Sequence, residues 1–136
     1  MSGDAIYQTA KFRYGTYGGV DVSGKDIPLV PRALVNLRTA WLFAPKTQLI
    51  AAVSYVGHQR YDNDQDNTFP RLMPAYALAD LKISHSTGGW NLSASISNLF
   101  DKKYYSYAIR NTAGTTFNAY PQAGRTFFAS AEYAFK

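Results

Sequence analysis

The residues best suited to chemistry lie in two polar stretches. Asp62, Asp64 and Asp66 alternate with amides in Asp62-Asn63-Asp64-Gln65-Asp66-Asn67. Carboxylates at alternate positions are how a calcium loop begins, because every second side chain can turn toward one ion. The match stops there. Position six is Asn67 where the sharp turn needs Gly, and position twelve is Met73 where a bidentate Glu belongs. A solvated loop tip is expected, with Asp62, Asp64 and Asp66 as weak calcium candidates. Gly19-Val20-Asp21-Val22-Ser23-Gly24-Lys25-Asp26 nearly matches a phosphate-binding loop, but Asp26 stands where a hydroxyl should reach the metal. A carboxylate there repels phosphate, and Pro28 and Pro31 forbid the helix that should follow. His58 and His85 are the only histidines and Cys is absent, so no zinc set and no thiolate chemistry is available. No Gly-x-Ser-x-Gly elbow marks a hydrolase nucleophile. The sequence points away from an enzyme and calls for no cofactor.

What remains is a question of framework. The 136 residues suit one ordinary domain, rich in Tyr (11) and Phe (8). The net charge is +5, but the basic residues are scattered, with only Lys102 and Lys103 adjacent. A nucleic-acid binder gathers them on one patch, so nucleic acid is not an expected partner. Anionic lipid or lipopolysaccharide at a membrane surface suits a mild positive excess better. No apolar run approaches the roughly 18 residues of a membrane helix. A barrel is not excluded, because its strands carry only half as many apolar residues. No basic, apolar and small-residue regions follow Met1 in the order of a signal peptide, so an exported form would need a different N-terminus.

Period-two alternation supplies the framework. Trp90, Leu92, Ala94 and Ile96 oppose Asn91, Ser93, Ser95 and Ser97. Phe127, Ala129, Ala131, Tyr133 and Phe135 oppose Thr126, Ser130 and Glu132, with Phe128 and Ala134 as exceptions. Such alternation marks a strand with one apolar and one polar face, long enough to tilt across a bilayer. About six strands are expected, near residues 5–14, 32–43, 48–56, 76–86, 90–97 and 126–135, and no helix. Residues 44–47 and 86–89 read as short hairpin turns. Residues 15–31, 57–74 and 101–124 read as long polar loops. Short turns at one end and long loops at the other suit an outer-membrane barrel. Trp41, Phe43, Trp90, Tyr133 and Phe135 fall near the short-turn end, as an interface girdle would, and Tyr55, Phe100 and Phe127 lie nearer the loops. The small apolar residues Ala77, Ala79, Ala94, Ala129 and Ala131 fill a core poorly but suit lipid tails. The opposite face, with Arg38, Asp80, Lys82 and Glu132, suits a wet lumen.

These residues then point to a family. Asn98-Leu99-Phe100-Asp101-Lys102-Lys103-Tyr104-Tyr105 resembles the motif before the last extracellular loop of TonB-dependent outer-membrane receptors. Tyr120-Pro121-Gln122-Ala123-Gly124-Arg125-Thr126 is similar to their entry into the final strand, and Ala131-Glu132-Tyr133-Ala134-Phe135 to their C-terminus. Gly24-Lys25-Asp26-Ile27-Pro28-Leu29-Val30-Pro31-Arg32 and Tyr55-Val56-Gly57 resemble earlier barrel segments. The resemblance implies an all-β fold, in which about six antiparallel transmembrane strands are the C-terminal part of a plugged barrel of about 22 strands. It implies the outer membrane of a Gram-negative bacterium, and active uptake of a scarce chelate such as a ferric siderophore or cobalamin. The partners implied are membrane lipid, the remaining barrel and plug, TonB acting through that plug, and the barrel-assembly machinery reading the final aromatic strand. Here Lys136 follows that aromatic.

The plug and most strands lie outside this sequence, so it is expected to be a fragment, a truncated reading frame or a piece needing the rest of a receptor. Ligand contact is expected from the loops: Tyr104, Tyr105, Tyr107, Arg110 and Tyr120 in the last, then Arg60 and Tyr61. Aromatics give flat contact area and Arg pairs with an anionic chelate. Two other readings stay open at this point. One is a passive porin-like or structural barrel segment, the other a soluble β-barrel module for a small apolar ligand.

Overall fold

The computed structural model describes residues 1–135; Lys136 lies outside them. Among the described residues there is no helix. Six strands form one antiparallel sheet: β1 (Ser2–Tyr7), β4 (Ala33–Ala44), β5 (Thr47–Val56), β6 (Tyr76–Thr87), β7 (Trp90–Ser97) and β10 (Thr126–Tyr133), in the order β1-β4-β5-β6-β7-β10. Two hairpins stand apart in the loops. They are β2 (Thr16–Tyr17) with β3 (Val20–Asp21), and β8 (Tyr105–Arg110) with β9 (Phe117–Pro121).

The register gathers the apolar residues onto one face. Cross-strand partners point the same way, so Trp41, Leu49, Ile83, Ala94 and Ala129 form one row, and Thr39, Ala51, Leu81, Ile96 and Phe127 the next. The other face carries Arg38 opposite Ala52 and Asp80, Lys82 opposite Ser95, and Glu132 opposite Asn91. The four charged residues expected together therefore do share a face. That face is not uniformly polar, since Leu34, Ile50, Val56 and Leu78 lie on it too.

The two short turns form as their residues dictate. Gly88 and Gly89, both at positive φ (54° and 86°), make the tight turn before Trp90. Both central residues of such a turn must be left-handed, which only Gly, Asn or Asp accept readily. At the other turn Lys46 takes φ 58°, and Thr47 and His85 join across the sheet at 2.8 Å.

Three expectations shift. The first strand ends at Tyr7 rather than extending over residues 5–14. Its partner β4 is preceded by Pro28 and Pro31, which carry no N–H for a ladder, and beyond Gln8 only an isolated bridge between Lys11 and Asp26 continues it. The last strand ends at Tyr133, because β7 turns away and the Ala134 N–H donates to Gly89 in the turn; Phe135 is outside the ladder. The first and last loops contain hairpins rather than irregular chain. In the first, Gly18 and Gly19 at φ 58° and 81° make the turn, so the glycine of the apparent phosphate-binding loop serves a hairpin. Among the described residues the sheet does not close, as expected of six strands from a larger barrel: β1 and β10 are unpaired on their outer edges. A self-contained soluble barrel is not the form this chain takes.

Among the described residues no second layer covers the sheet. Trp41, Leu92 and Phe127 on its apolar face are exposed. The buried core lies in the loops instead, where Tyr61, Phe69, Met73 and Ala108 pack with Leu29, Tyr105, Phe117 and Ala119. In lipid vesicles, Ala94→Arg on the apolar face is expected to destabilise the folded sheet by about 2–4 kcal/mol, while Ser93→Arg on the other face stays within about 1 kcal/mol. Urea unfolding followed by Trp fluorescence checks the difference.

Candidate functional site

The chemistry-bearing residues meet where the loops fold over the end of the sheet. The loop between β5 and β6 lies against β8: Asp62 N–H donates to Ala108 and Arg110 N–H donates back to Asp62, at 2.9 and 3.0 Å. The Tyr61 ring is wedged between Phe69 and Phe117, with centroids 5.0 and 4.8 Å away. Beside this aromatic cluster Asp64 is fully buried (0 % exposed). Its carboxylate accepts from Arg60 Nη1 (3.1 Å), Arg110 Nη1 (3.2 Å) and the Phe69 N–H (3.0 Å). A buried carboxylate is tolerated only with such partners.

The network extends through all three long loops. Arg110 also reaches Asp66 at 3.0 Å, Thr68 Oγ1 at 2.8 Å and the Asn63 carbonyl at 2.9 Å. Asn67 joins the first loop to the second, accepting from Asp26 N–H (2.7 Å) and donating to the Asp26 and Asp64 carbonyls. Lys25 Nζ donates to the Asp66 carbonyl at 2.8 Å, and Asp26 pairs with Arg32 at 2.6 Å. Burial pushes the Asp66 carboxyl up, but hydrogen bonds from Arg110 and Thr68 hold it below its ordinary value overall.

In this arrangement the three calcium candidates are engaged by protein groups. Asp64 and Asp66 are held by guanidinium groups, and Asp62 accepts from Tyr107 Oη at 2.6 Å and from the Asn63 N–H. Arg60 and Arg110 supply the positive charge an ion would bring. Among the described residues no group of three acidic or histidine side chains converges on a common point.

The ligand-contact expectations divide. Tyr61 is 2 % exposed and its hydroxyl meets Tyr105 Oη at 3.0 Å, so it is a core residue. Burial first, and then that hydrogen bond, push its phenol well above its usual range. The Arg110 side chain is 11 % exposed and already engaged, and Arg60 is tied to Asp64. These arginines organise loops instead of offering free charge. Tyr107 and Tyr120 are 5.4 Å apart, and Tyr120 is 57 % exposed. The hydrogen bond to Asp62 raises the Tyr107 phenol above its ordinary value. Tyr104 lies on Tyr76 at 4.6 Å. Of the seven candidates only Tyr120 is exposed; Tyr107, like Tyr104 and Tyr105, is half-buried. Composition held no sign of the difference, because the partners that claim Tyr61 and Arg110 are about 45 residues away.

The octapeptide forms a clasp at the base of the last loop. Asn98 and Asp101 take left-handed backbone (φ 52° and 51°), which short polar side chains tolerate. Buried Asn98 donates from Nδ2 to Lys102 O and accepts at Oδ1 from Lys102 N–H. Its own N–H donates to Asp80 Oδ1 at 2.8 Å, so Asp80 is a cap as well as a face residue. Asp101 accepts from Arg125 N–H at 2.9 Å; that bond, and then Lys103, hold its carboxyl below its ordinary value. A Cβ on Gly124 would stand 2.5 Å from Asp101 Oδ1, which explains the glycine. The sequence reading missed Asn98, Asn67 and Phe69 as organising residues. Asn98 sits in the octapeptide; Asn67 gave only the faint sign of an amide in a polar turn.

At the opposite end Trp41 faces Phe43 at 5.7 Å, Trp90 faces Tyr133 at 4.9 Å, and Tyr133 faces Phe135 at 5.0 Å. The expected girdle residues thus form two clusters beside the two short turns.

Comparison with known proteins agrees with this architecture. Residues 2–99 match the family model described as TonB dependent receptor-like, beta-barrel. A search of curated protein sequences gave no match. Among solved structures, the ferric-catecholate import receptor Fiu of E. coli K12 superposes with a TM-score of 0.68 at 22 % identity, over 82 % of this chain and 15 % of its own. The siderophore receptor PiuA of Acinetobacter baumannii gives 0.66 at 22 %, over 87 % and 16 %. The ferric yersiniabactin uptake receptor FyuA of Yersinia pestis gives 0.66 at 27 %, over 85 % and 18 %. The chain therefore spans less than a fifth of the length of these receptors.

Two outcomes follow from the loop network. Asp64→Ala leaves two guanidinium groups without their shared carboxylate, and removing one member of a buried pair costs about 3–5 kcal/mol. Hydrogen exchange at Phe69 and through β8 should accelerate, while exchange in β5 and β6 stays unchanged. Because the Asp66 and Asp101 carboxyls are depressed on folding, they stabilise the loops above the unfolded value of about 4. That contribution is lost as pH falls through their lower folded-state values. Near-UV circular dichroism of the loop tyrosines should therefore hold from pH 7 to about 5 and decay below about 4.

Proposed function

The chain belongs to the TonB-dependent receptor-like β-barrel family, and from that premise we propose that residues 1–136 form the C-terminal part of the barrel of an outer-membrane uptake receptor. Its cargo is a scarce chelate, a ferric siderophore or a cobalamin-like compound. Energy comes from TonB acting through a plug carried elsewhere in the receptor. The role is transport, with no catalytic step and no resident cofactor. The observation that carries the reading is the asymmetry of the sheet. One end has tight turns flanked by aromatics; the other carries loops that fold around their own buried core.

The division of labour follows from that asymmetry. The apolar face anchors the barrel in lipid. The face with Arg38, Asp80, Lys82 and Glu132 lines the lumen and meets the plug. The last strand with its terminal aromatics is what the barrel-assembly machinery engages. An iron chelate has a large, flat and often anionic surface. Tyr107 and Tyr120 offer aromatic area to it, and the Asp64 network holds the hairpin that presents them. A pre-ordered loop loses less entropy on binding. The three neighbouring receptors, named for ferric-catecholate import, siderophore reception and ferric yersiniabactin uptake, support the cargo class.

Uptake of a labelled iron chelate by cells making the full receptor tests this. Tyr120→Ala is expected to weaken binding about tenfold at unchanged receptor abundance, the order expected for losing an aromatic contact. Arg110→Ala should also lower uptake, but with increased proteolysis of the 57–74 loop. Deletion of TonB should abolish accumulation while leaving surface binding intact. Uptake that persists without TonB would point to a passive pore.

A further inference from the structure

Residues 105–124, which build the β8–β9 hairpin and lead toward β10, contain one charged side chain, Arg110. Successive residues of a strand point to opposite faces, so Arg110 leaves β8 on the side of buried Ala108, away from Tyr107. There Asp64 and Asp66 engage it. Asp62 stands on the other face. It continues the hairpin as a third strand, bridged in parallel to Ile109, and accepts from Tyr107 Oη at 2.6 Å. Tyr120 is the cross-strand partner of Tyr107. Beside Asp62, the Tyr17 hydroxyl of the first loop donates to Asn63 Oδ1 at 3.2 Å. Four of the six loop carboxylates, Asp26, Asp64, Asp66 and Asp101, are in ion pairs. Asp21 is fastened to Ser23 in the field of Lys25. Asp62 forms no ion pair among the described residues. Its hydrogen bond raises the Tyr107 phenol, and no cation counters that rise. Arg71 acts on the buried Tyr61 phenol instead. The tyrosine face of the hairpin therefore carries one uncompensated negative charge.

We propose that Asp62 is a specificity determinant: it fits this tyrosine face to iron chelates of zero or positive net charge and turns away multiply anionic ones. The inference rests on the uptake reading above and narrows its cargo. Singly charged bidentate groups such as hydroxamates, when they fill the coordination of a ferric ion, leave a neutral complex. Doubly charged groups such as catecholates leave it triply negative. Aromatic faces carry partial negative charge, so beside a carboxylate they receive a neutral or cationic surface and not an anionic one. A triply anionic complex held about 7 Å from one carboxylate is disfavoured about tenfold at low ionic strength, since water weakens the repulsion without abolishing it. Arg60 and Arg110 could have offset that charge, but Asp64 holds both on the core side of the hairpin. By keeping them there, Asp64 leaves Asp62 to set the sign of the surface.

Binding of two chelates to the full receptor in detergent micelles reads the selectivity. The probes are a neutral ferric tris-hydroxamate and a triply anionic ferric tris-catecholate, each followed by quenching of the protein's fluorescence. At low salt the neutral chelate is expected to bind about tenfold more tightly. Asp62→Asn keeps an acceptor for Tyr107 and removes the charge. It should erase the advantage by strengthening the catecholate, while the hydroxamate changes by less than about twofold. Salt at about 0.5 M should shrink the wild-type advantage and leave the variant unmoved. Tyr107→Phe keeps the carboxylate and should preserve the ratio of the two affinities. A wild-type receptor that favours the catecholate, or whose ratio is blind to salt, would overturn the assignment without any variant. An Asp62→Asn variant that shifts both chelates equally would overturn it too, by marking Asp62 as structural only. Cellular uptake separates the two levels of the claim. A receptor that takes up neither chelate, nor uncharged cyanocobalamin, would overturn the uptake reading and this inference together, whereas equal uptake of both chelates would overturn the selectivity alone.

Discussion

Asp64 has no contact with solvent and three donors aimed at it, and the loop structure is organised around that fact. A carboxylate can be buried only if its partners are fixed. Arg60 and Arg110 come from loops far apart in sequence, and their shared acceptor requires those loops to be adjacent. Once they are, Tyr61 is driven between Phe69 and Phe117 and Met73 is covered. Asn67 then brings in the first loop through Asp26. Polar pairing and apolar burial support each other here. The aromatic cluster excludes water from the ion pairs, and the ion pairs hold the loops that make the cluster.

The distribution of burial inverts that of a soluble domain. Ordinarily a sheet buries one face against a second layer and its loops lie in water. Here the loops bury their own aromatic cluster, while among the described residues no second layer covers the apolar rows of the sheet. On the proposed membrane reading, lipid takes the place of the missing layer. It also explains the prevalence of Ala on the apolar face. A methyl group need only be apolar to face acyl chains, whereas a packed core would demand volume. On the same proposed reading, further strands pair with the open edges of β1 and β10, since N–H and C=O groups left unpaired in a bilayer are costly.

Between sheet and loops sits the octapeptide. Two left-handed residues, Asn98 and Asp101, reverse the chain at the top of β7, and their side chains fasten the far end of the last loop before β10 begins. Gly124 is small because Asp101 is there. The motif that resembles a family feature in the sequence is thus a mechanical joint. It fixes the base of the β8–β9 hairpin, while the Asp64 network fixes its flank. The tyrosines of that hairpin, exposed Tyr120 among them, are held from two directions.

The sequence alone determined the strands of the sheet, its two tight turns and the division of its faces. Each of these depends on residues near one another in the chain: period two for the strands, paired glycines for a turn, and alternation for the faces. The register then followed, because shifting any strand by one residue would have turned its apolar set to the wrong side. The short first strand and the early end of the last were hidden, since both are set by where a partner strand stops. The hairpins within the loops were hidden because polar composition masked their strand character. For the loop residues, type was legible but role was not. Tyr61 and Tyr120 look alike in the sequence, as do a free Arg110 and one bound to Asp64. Tertiary structure alone decided which tyrosine is core and which is surface, and paired Asp64 and Asp66 with arginine and Asp62 with Tyr107. The reason is physical: burial and ion pairing are properties of neighbours, and here the deciding neighbours are some 40 residues apart.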